Sequence, residues 1–316
     1  MRMTLWLARG LAGAEGGRMP VVALLLTGLI VGGPGGPLLT TRAQAAGLAP
    51  VQATVQTTGQ AMSLAPCAAG AEGLGVRWIV NAGSLRRAAS AIPLEEQERF
   101  FGSPCTFLVG KQNLEPYAHW SAVGTITIRS AAEVDRCCGE GVGAVLYDPE
   151  AWRFTPPEEK RHPGAAACRV AEVVHGQHRL LIVAPAADLA GGGPERFERF
   201  LRAKIAARVA RCADVYEIQA QGTEPDVRAF EEFVRKAAAQ ARSARKGIVV
   251  LAGISTNPMG REVSAEAVYA CVRAVREEVD GYWLNIPAGG AACPSCGEPK
   301  PAIAAELLKE MAAGGR

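Results

Sequence analysis

The sequence predicts a (β/α)8 barrel. Three observations carry that expectation. Short apolar runs alternate with helix-period segments along the chain, about eight units in all, which implies parallel strands joined by right-handed crossovers. Those units occupy roughly 240 residues, the size of one such barrel. Most of the runs end in a residue that donates or accepts hydrogen bonds, which is where a barrel keeps its chemistry. The alternative, an open doubly wound sheet, wants a glycine-rich phosphate turn after the first strand. Asn81-Ala82-Gly83-Ser84-Leu85 lacks that spacing.

The elements follow in order. Residues 1–45 read as an export signal. Arg18 precedes an apolar run from Met19 to Val31, and Ala43-Gln44-Ala45 fits a small-x-small cleavage site. The run is short for a membrane-spanning helix. The expectation is a secreted protein, extracellular or held at the cell wall, with no stable membrane insertion after cleavage. An uncleaved membrane anchor is the alternative, and Met19 offers an internal start. Residues 46–72, rich in Ala, Gln, Thr, Pro and Gly without periodicity, read as a flexible linker, and 73–316 as the barrel domain.

The strands are expected at 78–81, 106–110, 124–129, 141–147, 180–185, 214–221, 247–253 and 281–286. Helices are expected at 93–101, from Ser130 (an N-cap with Glu133 three residues on), and at 163–175, 196–211, 226–243, 264–279 and 301–312.

The whole chain carries 34 Lys+Arg and 31 Asp+Glu. Losing residues 1–45 removes four arginines and Glu15, which leaves 30 of each. A neutral mature chain argues for no nucleic-acid partner. The oligomeric state is left open.

All nine cysteines follow the signal, and export permits disulfides. An odd count leaves at least one thiol over. Adjacent Cys137 and Cys138 are not expected to bond each other. Cys168, Cys212 and Cys271, in alanine-rich helical segments, read as small buried residues. Cys293-Pro-Ser-Cys296 is half a zinc knuckle without its other half, so a local disulfide is expected there.

The site is expected around Gly141 to Trp152. An apolar strand there ends in Asp148 and Glu150, on the face that Ala144 and Leu146 share. Two acids at the mouth of a strand are costly to bury without a partner or a task. The structural alternative is an ion pair with Arg129 or Lys111. The catalytic alternative is a carboxyl of raised pKa that protonates a glycosidic oxygen. On that reading Glu150 is the acid, Asp148 orients it, and Glu217 on strand six is the second carboxylate. Glu217, Gln219 and Gln221 form a polar column on a strand that has no free edge. Trp283 and Asn285 share a face of strand eight, an aromatic floor with an amide beside it, suited to a sugar ring. Trp152 and Trp120 are further platforms. Asn81, Lys111, Arg129 and Asn257, at other strand ends, complete the substrate-binding set.

A barrel strand ending in Asp-x-Glu plus an aromatic resembles the fourth strand of chitinase-type and lysozyme-type (β/α)8 glycoside hydrolases. That resemblance implies Glu150 as proton donor assisted by Asp148. Pro149 between the acids, and the absence of the acids that precede the motif there, depart from the chitinase pattern. Leu-Tyr-Asp-Pro-Glu, Glu-Ile-Gln-Ala-Gln, Gly-Ile-Ser-Thr-Asn-Pro and Trp-Leu-Asn-Ile-Pro together resemble a group of secreted bacterial barrel proteins of unassigned activity.

The expectation is a secreted glycoside hydrolase-like barrel acting on a polysaccharide or oligosaccharide. A non-catalytic carbohydrate-binding barrel and a metal-assisted secreted hydrolase are the alternatives. No cofactor is expected. The four histidines show no His-x-His or His-Glu-x-x-His spacing, so no metal site is expected either.

Overall fold

The computed structural model describes Leu64, Cys67 and residues 74–111, 115–290 and 293–314. Eight parallel strands close into a barrel in sequence order, and β1 pairs with β8. The strands are β1 (Arg77–Asn81), β2 (Thr106–Val109), β3 (Val123–Ile128), β4 (Ala144–Tyr147), β5 (Leu180–Val183), β6 (Val215–Ile218), β7 (Val249–Ser255) and β8 (Gly281–Asn285). The helices are α1 (Ala82–Ala88), α2 (Leu94–Phe101), α3 (Pro157–Arg161), α4 (Pro163–Gly176), α5 (Arg196–Arg202), α6 (Ile205–Ala210), α7 (Val227–Ala244), α8 (Ala265–Val275) and α9 (Pro301–Ala313).

Strand alternation sorts the core into two bodies. Ile79, Phe107, Ala144, Leu146, Ile182, Ala184, Val215 and Leu251 fill the interior, with Trp283 packed against them. Trp78, Leu108, Tyr147, Leu181, Tyr216, Val250 and Tyr282 point outward and meet the helices. Burying each such side chain contributes about 1.5–3 kcal/mol. The interior is therefore a packed floor, with any open site above it at the C-terminal strand ends.

Three local departures from the sequence expectation have physical causes. The helix expected over 196–211 is two, α5 and α6, because Lys204 takes a left-handed conformation (φ 52°) between them. The segment after Ser130 is a 3-10 turn, Ala131–Arg136. Helix α1 was not anticipated. Asn81 starts it by accepting a hydrogen bond from the Ser84 N–H at 2.7 Å.

Four disulfides are present: Cys67–Cys105, Cys137–Cys138, Cys168–Cys212 and Cys293–Cys296. The adjacent pair does bond, against expectation, in the loop between β3 and β4. Cys168 and Cys212 are not inert core residues either, because their bond ties α4 to the chain just beyond α6. The local bond at 293–296 is as expected. Cys271 stays a buried thiol whose pKa burial pushes up to about 12. Leu64 packs against the barrel interior and Cys67 is bonded beside β2, so two points of the segment expected to be linker are attached to the barrel. The expected signal, residues 1–45, lies outside the described residues. Among the described residues no helix is long and apolar enough to cross a membrane.

Candidate active site

Strand β4 delivers Asp148 to the mouth of the barrel. Its backbone N–H continues the ladder to the Ile128 carbonyl at 2.9 Å, so Asp148 faces inward above Leu146. Pro149 then ends the pairing, and the loop that follows is pinned by four hydrogen bonds. The Thr155 hydroxyl accepts from the Glu150 N–H (3.1 Å) and from Trp152 Nε1 (3.0 Å), and donates to the Arg129 carbonyl (3.1 Å). Asp188, from the loop after β5, accepts from the Ala151 N–H at 3.0 Å. The backbone under Glu150 is held while its carboxylate is left free of hydrogen bonds among the described residues.

Strand β6 supplies the facing group. Glu217 is completely buried, and neither carboxylate oxygen has a hydrogen-bond partner among the described residues. Leaving one buried polar group unpaired costs about 1–3 kcal/mol. The room for it comes from Gly253 on β7. A Cβ at that position would lie 2.7 Å from Glu217 Oε1 and would also collide with Gln221 Nε2. Gly253 is therefore the gap in the wall into which both side chains lean.

Strand β6 is shorter than the sequence suggested. It ends at Ile218, and the chain turns so that the Ala220 N–H bonds the Ile218 carbonyl at 2.7 Å. Gln221 opens a 3-10 turn rather than continuing the strand. It reaches the neighbourhood of Glu217 by that turn, not by strand alternation. Gln219 uses both hydrogens of its amide, to Asp148 Oδ1 (2.7 Å) and to the Ala184 carbonyl (2.8 Å).

The electrostatics follow from this packing. Burial pushes the Asp148 carboxyl well above the ordinary carboxylate range. The negative charges of Glu150 and Asp188 push it the same way, against the Gln219 hydrogen bond. Burial, then Asp188, raises Glu150 to about 7. Burial, then Asp148, raises Glu217 well above its usual value. Such groups hold a proton where an exposed carboxyl has lost it.

The remaining expected residues divide. Trp283 faces the interior beside Ile79 and Gly253, and its indole nitrogen is buried without a partner among the described residues. Asn285, half-buried, follows it on the same face. Trp152 is half-buried and edge-packed on Phe154, with centroids 5.4 Å apart.

Others have structural occupations. Asn81 caps α1. Lys111 donates to the carbonyls of Trp120 and Ala122, the latter at 2.9 Å, and braces the chain before β3. Arg129 lies over the Phe154 ring (4.7 Å) and 3.9 Å from Glu133. Asn257 donates to the Cys296 carbonyl and fastens the 293–296 loop to the end of β7. Trp120 is core, packed on Tyr117 at 4.6 Å.

The structural alternative for the two acids, an ion pair with Arg129 or Lys111, is not what these side chains form. Among the described residues, no three His, Cys, Asp or Glu side chains converge as metal ligands do. Asp188 is an acid of this site that the sequence pattern does not single out. It sits in a short Ala-rich 3-10 turn, Ala187–Ala190, and only the fold brings it to Ala151.

No family model and no curated protein sequence matches the chain. Among solved structures it is similar to a sugar phosphate isomerase/epimerase from Parabacteroides distasonis, with TM-score 0.43 and 10% identity over 80% of this chain and 98% of that one. It is similar to triosephosphate isomerase from Bartonella henselae, with TM-score 0.41 and 11% identity over 75% and 99% of the respective chains. It is also similar to the PgaB glycoside hydrolase domain from Bordetella bronchiseptica, with TM-score 0.37 and 9% identity over 66% and 93%. These likenesses concern the barrel fold and say nothing of the chemistry it carries.

Proposed function

We propose that this protein is a secreted hydrolase that cleaves glycosidic bonds of a polysaccharide or oligosaccharide by carboxylate acid–base catalysis. One observation carries the reading. Glu150, raised to about 7, stands over Asp148 and near Asp188, on a barrel mouth that also holds the unpartnered Glu217. A carboxyl that is half-protonated near neutral pH is suited to give a proton to a leaving oxygen.

In this mechanism Glu150 protonates the glycosidic oxygen. Asp148, held by the Gln219 amide, orients Glu150 from the strand below. Glu217 is the second carboxylate and acts in its ionised form, which burial and Asp148 disfavour until substrate binds, attacking the anomeric carbon or activating a water for that attack. The sugar ring lies toward Trp283, with Asn285 and Trp152 at its edges, where C–H faces meet indole and hydroxyls meet amide. Four disulfides are compatible with an exported protein.

The test is a polysaccharide panel, with reducing ends assayed and the anomer of the first product read by NMR. Wild-type protein is expected to turn over at least one glycan, and Glu150→Gln to lose that turnover. No turnover of any glycan by the wild type contradicts the reading.

A further inference from the structure

Residues 196–211, the stretch of α5 and α6, hold six Arg and Lys residues and one acid, Glu198. The rest of residues 46–316 holds 24 basic residues against 29 acidic ones. A stretch that is neutral as a whole thus concentrates positive charge on one side wall of the barrel, between β5 and β6.

Two of the six cations have structural tasks. Arg199 donates to the carbonyls of Ala190 (3.0 Å), Gly191 (2.9 Å) and Gly192, and Arg196 lies over the Phe197 ring at 4.4 Å. The other four, Arg202, Lys204, Arg208 and Arg211, are exposed. Among the described residues they form no ion pair and no side-chain hydrogen bond. Helix α6 buries Ile205, Ala206, Val209 and Ala210, so Lys204, Arg208 and Arg211, spaced four and three apart, fall on its opposite face. The exposed acids Glu198 on α5 and Glu172 on α4 pair with none of them. By contrast, Lys236 on α7 pairs with Glu232, and Arg161 on α3 with Glu158, each at 2.5 Å.

A second observation is independent of the charge count. Lys204 sits between the two helices with φ 52° and ψ 38°, a left-handed conformation that favours glycine. An exposed, unpaired lysine offers nothing there that glycine lacks except its charged side chain.

We propose that the α5–α6 face is a binding surface for an anionic polysaccharide, outside the barrel mouth and independent of the glycosidase reading. The planar guanidinium fork matches an acid group on a sugar through two parallel hydrogen bonds. A row of exposed cations suits a polymer with repeated acids better than one small anion, because contacts that are weak singly add along one chain. A lipid surface fits less well. The exposed large hydrophobic residues, Leu94, Phe154 and Met259, lie on other elements, so no apolar side chain accompanies these cations into a bilayer. A nucleic acid also fits less well, since no exposed aromatic ring stands beside the cations for a base to stack on.

The experiment titrates the disulfide-bonded chain with polygalacturonate and with its fully methyl-esterified form, the same polymer without its charges. The acid form is expected to bind about tenfold tighter or more at low salt, and the difference to shrink as salt rises. The triple variant Arg202→Gln, Arg208→Gln and Arg211→Gln should bind the acid form no better than the wild type binds the ester. Lys204→Gly separates charge from folding. It removes one cation and relieves the left-handed backbone, so affinity should fall by about twofold while the melting temperature does not fall. Glu150→Gln should bind as the wild type does.

Equal affinity for acid and ester, or no binding of either, overturns the inference. So does wild-type affinity in the triple variant or in Lys204→Gly. Loss of binding in Glu150→Gln would put the polymer in the barrel mouth and overturns it too. Tighter binding to phosphatidylglycerol vesicles or to DNA than to polygalacturonate assigns the face to another partner and likewise overturns it.

Discussion

Gln219 and Asp148 are joined by a 2.7 Å hydrogen bond from Nε2 to Oδ1 that spans from the end of β6 to the end of β4. The amide's other hydrogen goes to the Ala184 carbonyl at 2.8 Å, which fixes which end of the side chain faces Asp148. One glutamine thus bridges the mouth of β5 and orients the carboxylate under Glu150. Gln219→Leu keeps the volume and deletes both donors. It is expected to lower kcat by about ten- to a hundredfold, the equivalent of a lost charged hydrogen bond of about 1.5–3 kcal/mol. With the opposing hydrogen bond gone, the Asp148 carboxyl rises further, so the limb of the kcat/KM profile that Asp148 sets should move alkaline while the Glu150 limb stays. Steady-state kinetics across pH check both. An unchanged profile with unchanged kcat contradicts the positioning role.

The buried acids make the folded protein less stable as pH rises. Free glutamate and aspartate titrate near about 4, while Glu217 and Asp148 are held well above that in the folded state. Between those values the folded chain keeps protons that the unfolded chain has released, so unfolding is increasingly favoured with pH. Their contribution is intact below about pH 4 and is lost as pH climbs through the folded values. Glu217→Gln removes the titration. It should raise the melting temperature at pH 8 and change it little at pH 5, while abolishing turnover. Calorimetric scans at the two pH values provide the check. A fall in melting temperature at pH 8 would count against a destabilising buried charge.

Gly253 tests whether the gap in β7 matters. Adding a methyl there meets the far ends of Glu217 and Gln221, which are flexible side chains rather than backbone. Gly253→Ala should therefore displace the Glu217 carboxylate without unfolding the barrel. The expected result is a tenfold or greater loss of kcat with a melting temperature within a few degrees of wild type. Equal activity in the variant would show that Glu217 need not sit where Gly253 allows.

The Cys168–Cys212 bond closes a loop with a sequence separation of 44 residues. Loop-closure entropy gives such a bond about 4 kcal/mol, and measured values fall mostly in the range of about 2–4 kcal/mol. The double substitution Cys168→Ala with Cys212→Ala should lower unfolding stability by that amount in urea melts. No change would mean that the bond does not constrain the unfolded chain.

The strand count and order were legible in the sequence because each strand is a short apolar run bounded by a helix-period segment. Asp148, Glu150 and Glu217 were legible for a simpler reason, since an acid placed inside or at the end of an apolar run stands out. What the sequence did not disclose depends on turns and on distant loops. Asn81 looked like a pocket amide because its capping of α1 is set by backbone angles. Gln221 looked like the third residue of a strand because nothing in Glu-Ile-Gln-Ala-Gln marks the turn after Ile218. Asp188 joins the other acids only through Ala151, 37 residues earlier in the chain. Cys137–Cys138 was misread because neighbouring cysteines rarely bond.

Glu150 carries the central claim, and its ionisation is the most direct measurement of it. The pH dependence of kcat/KM on an active glycan should lose activity on the alkaline side with a midpoint near 7, the value to which burial and Asp188 raise this carboxyl. That limb should be absent from the residual rate of Glu150→Gln. An alkaline limb that persists unchanged in Glu150→Gln, or turnover by that variant equal to wild type, would contradict the assignment of Glu150 as the proton donor.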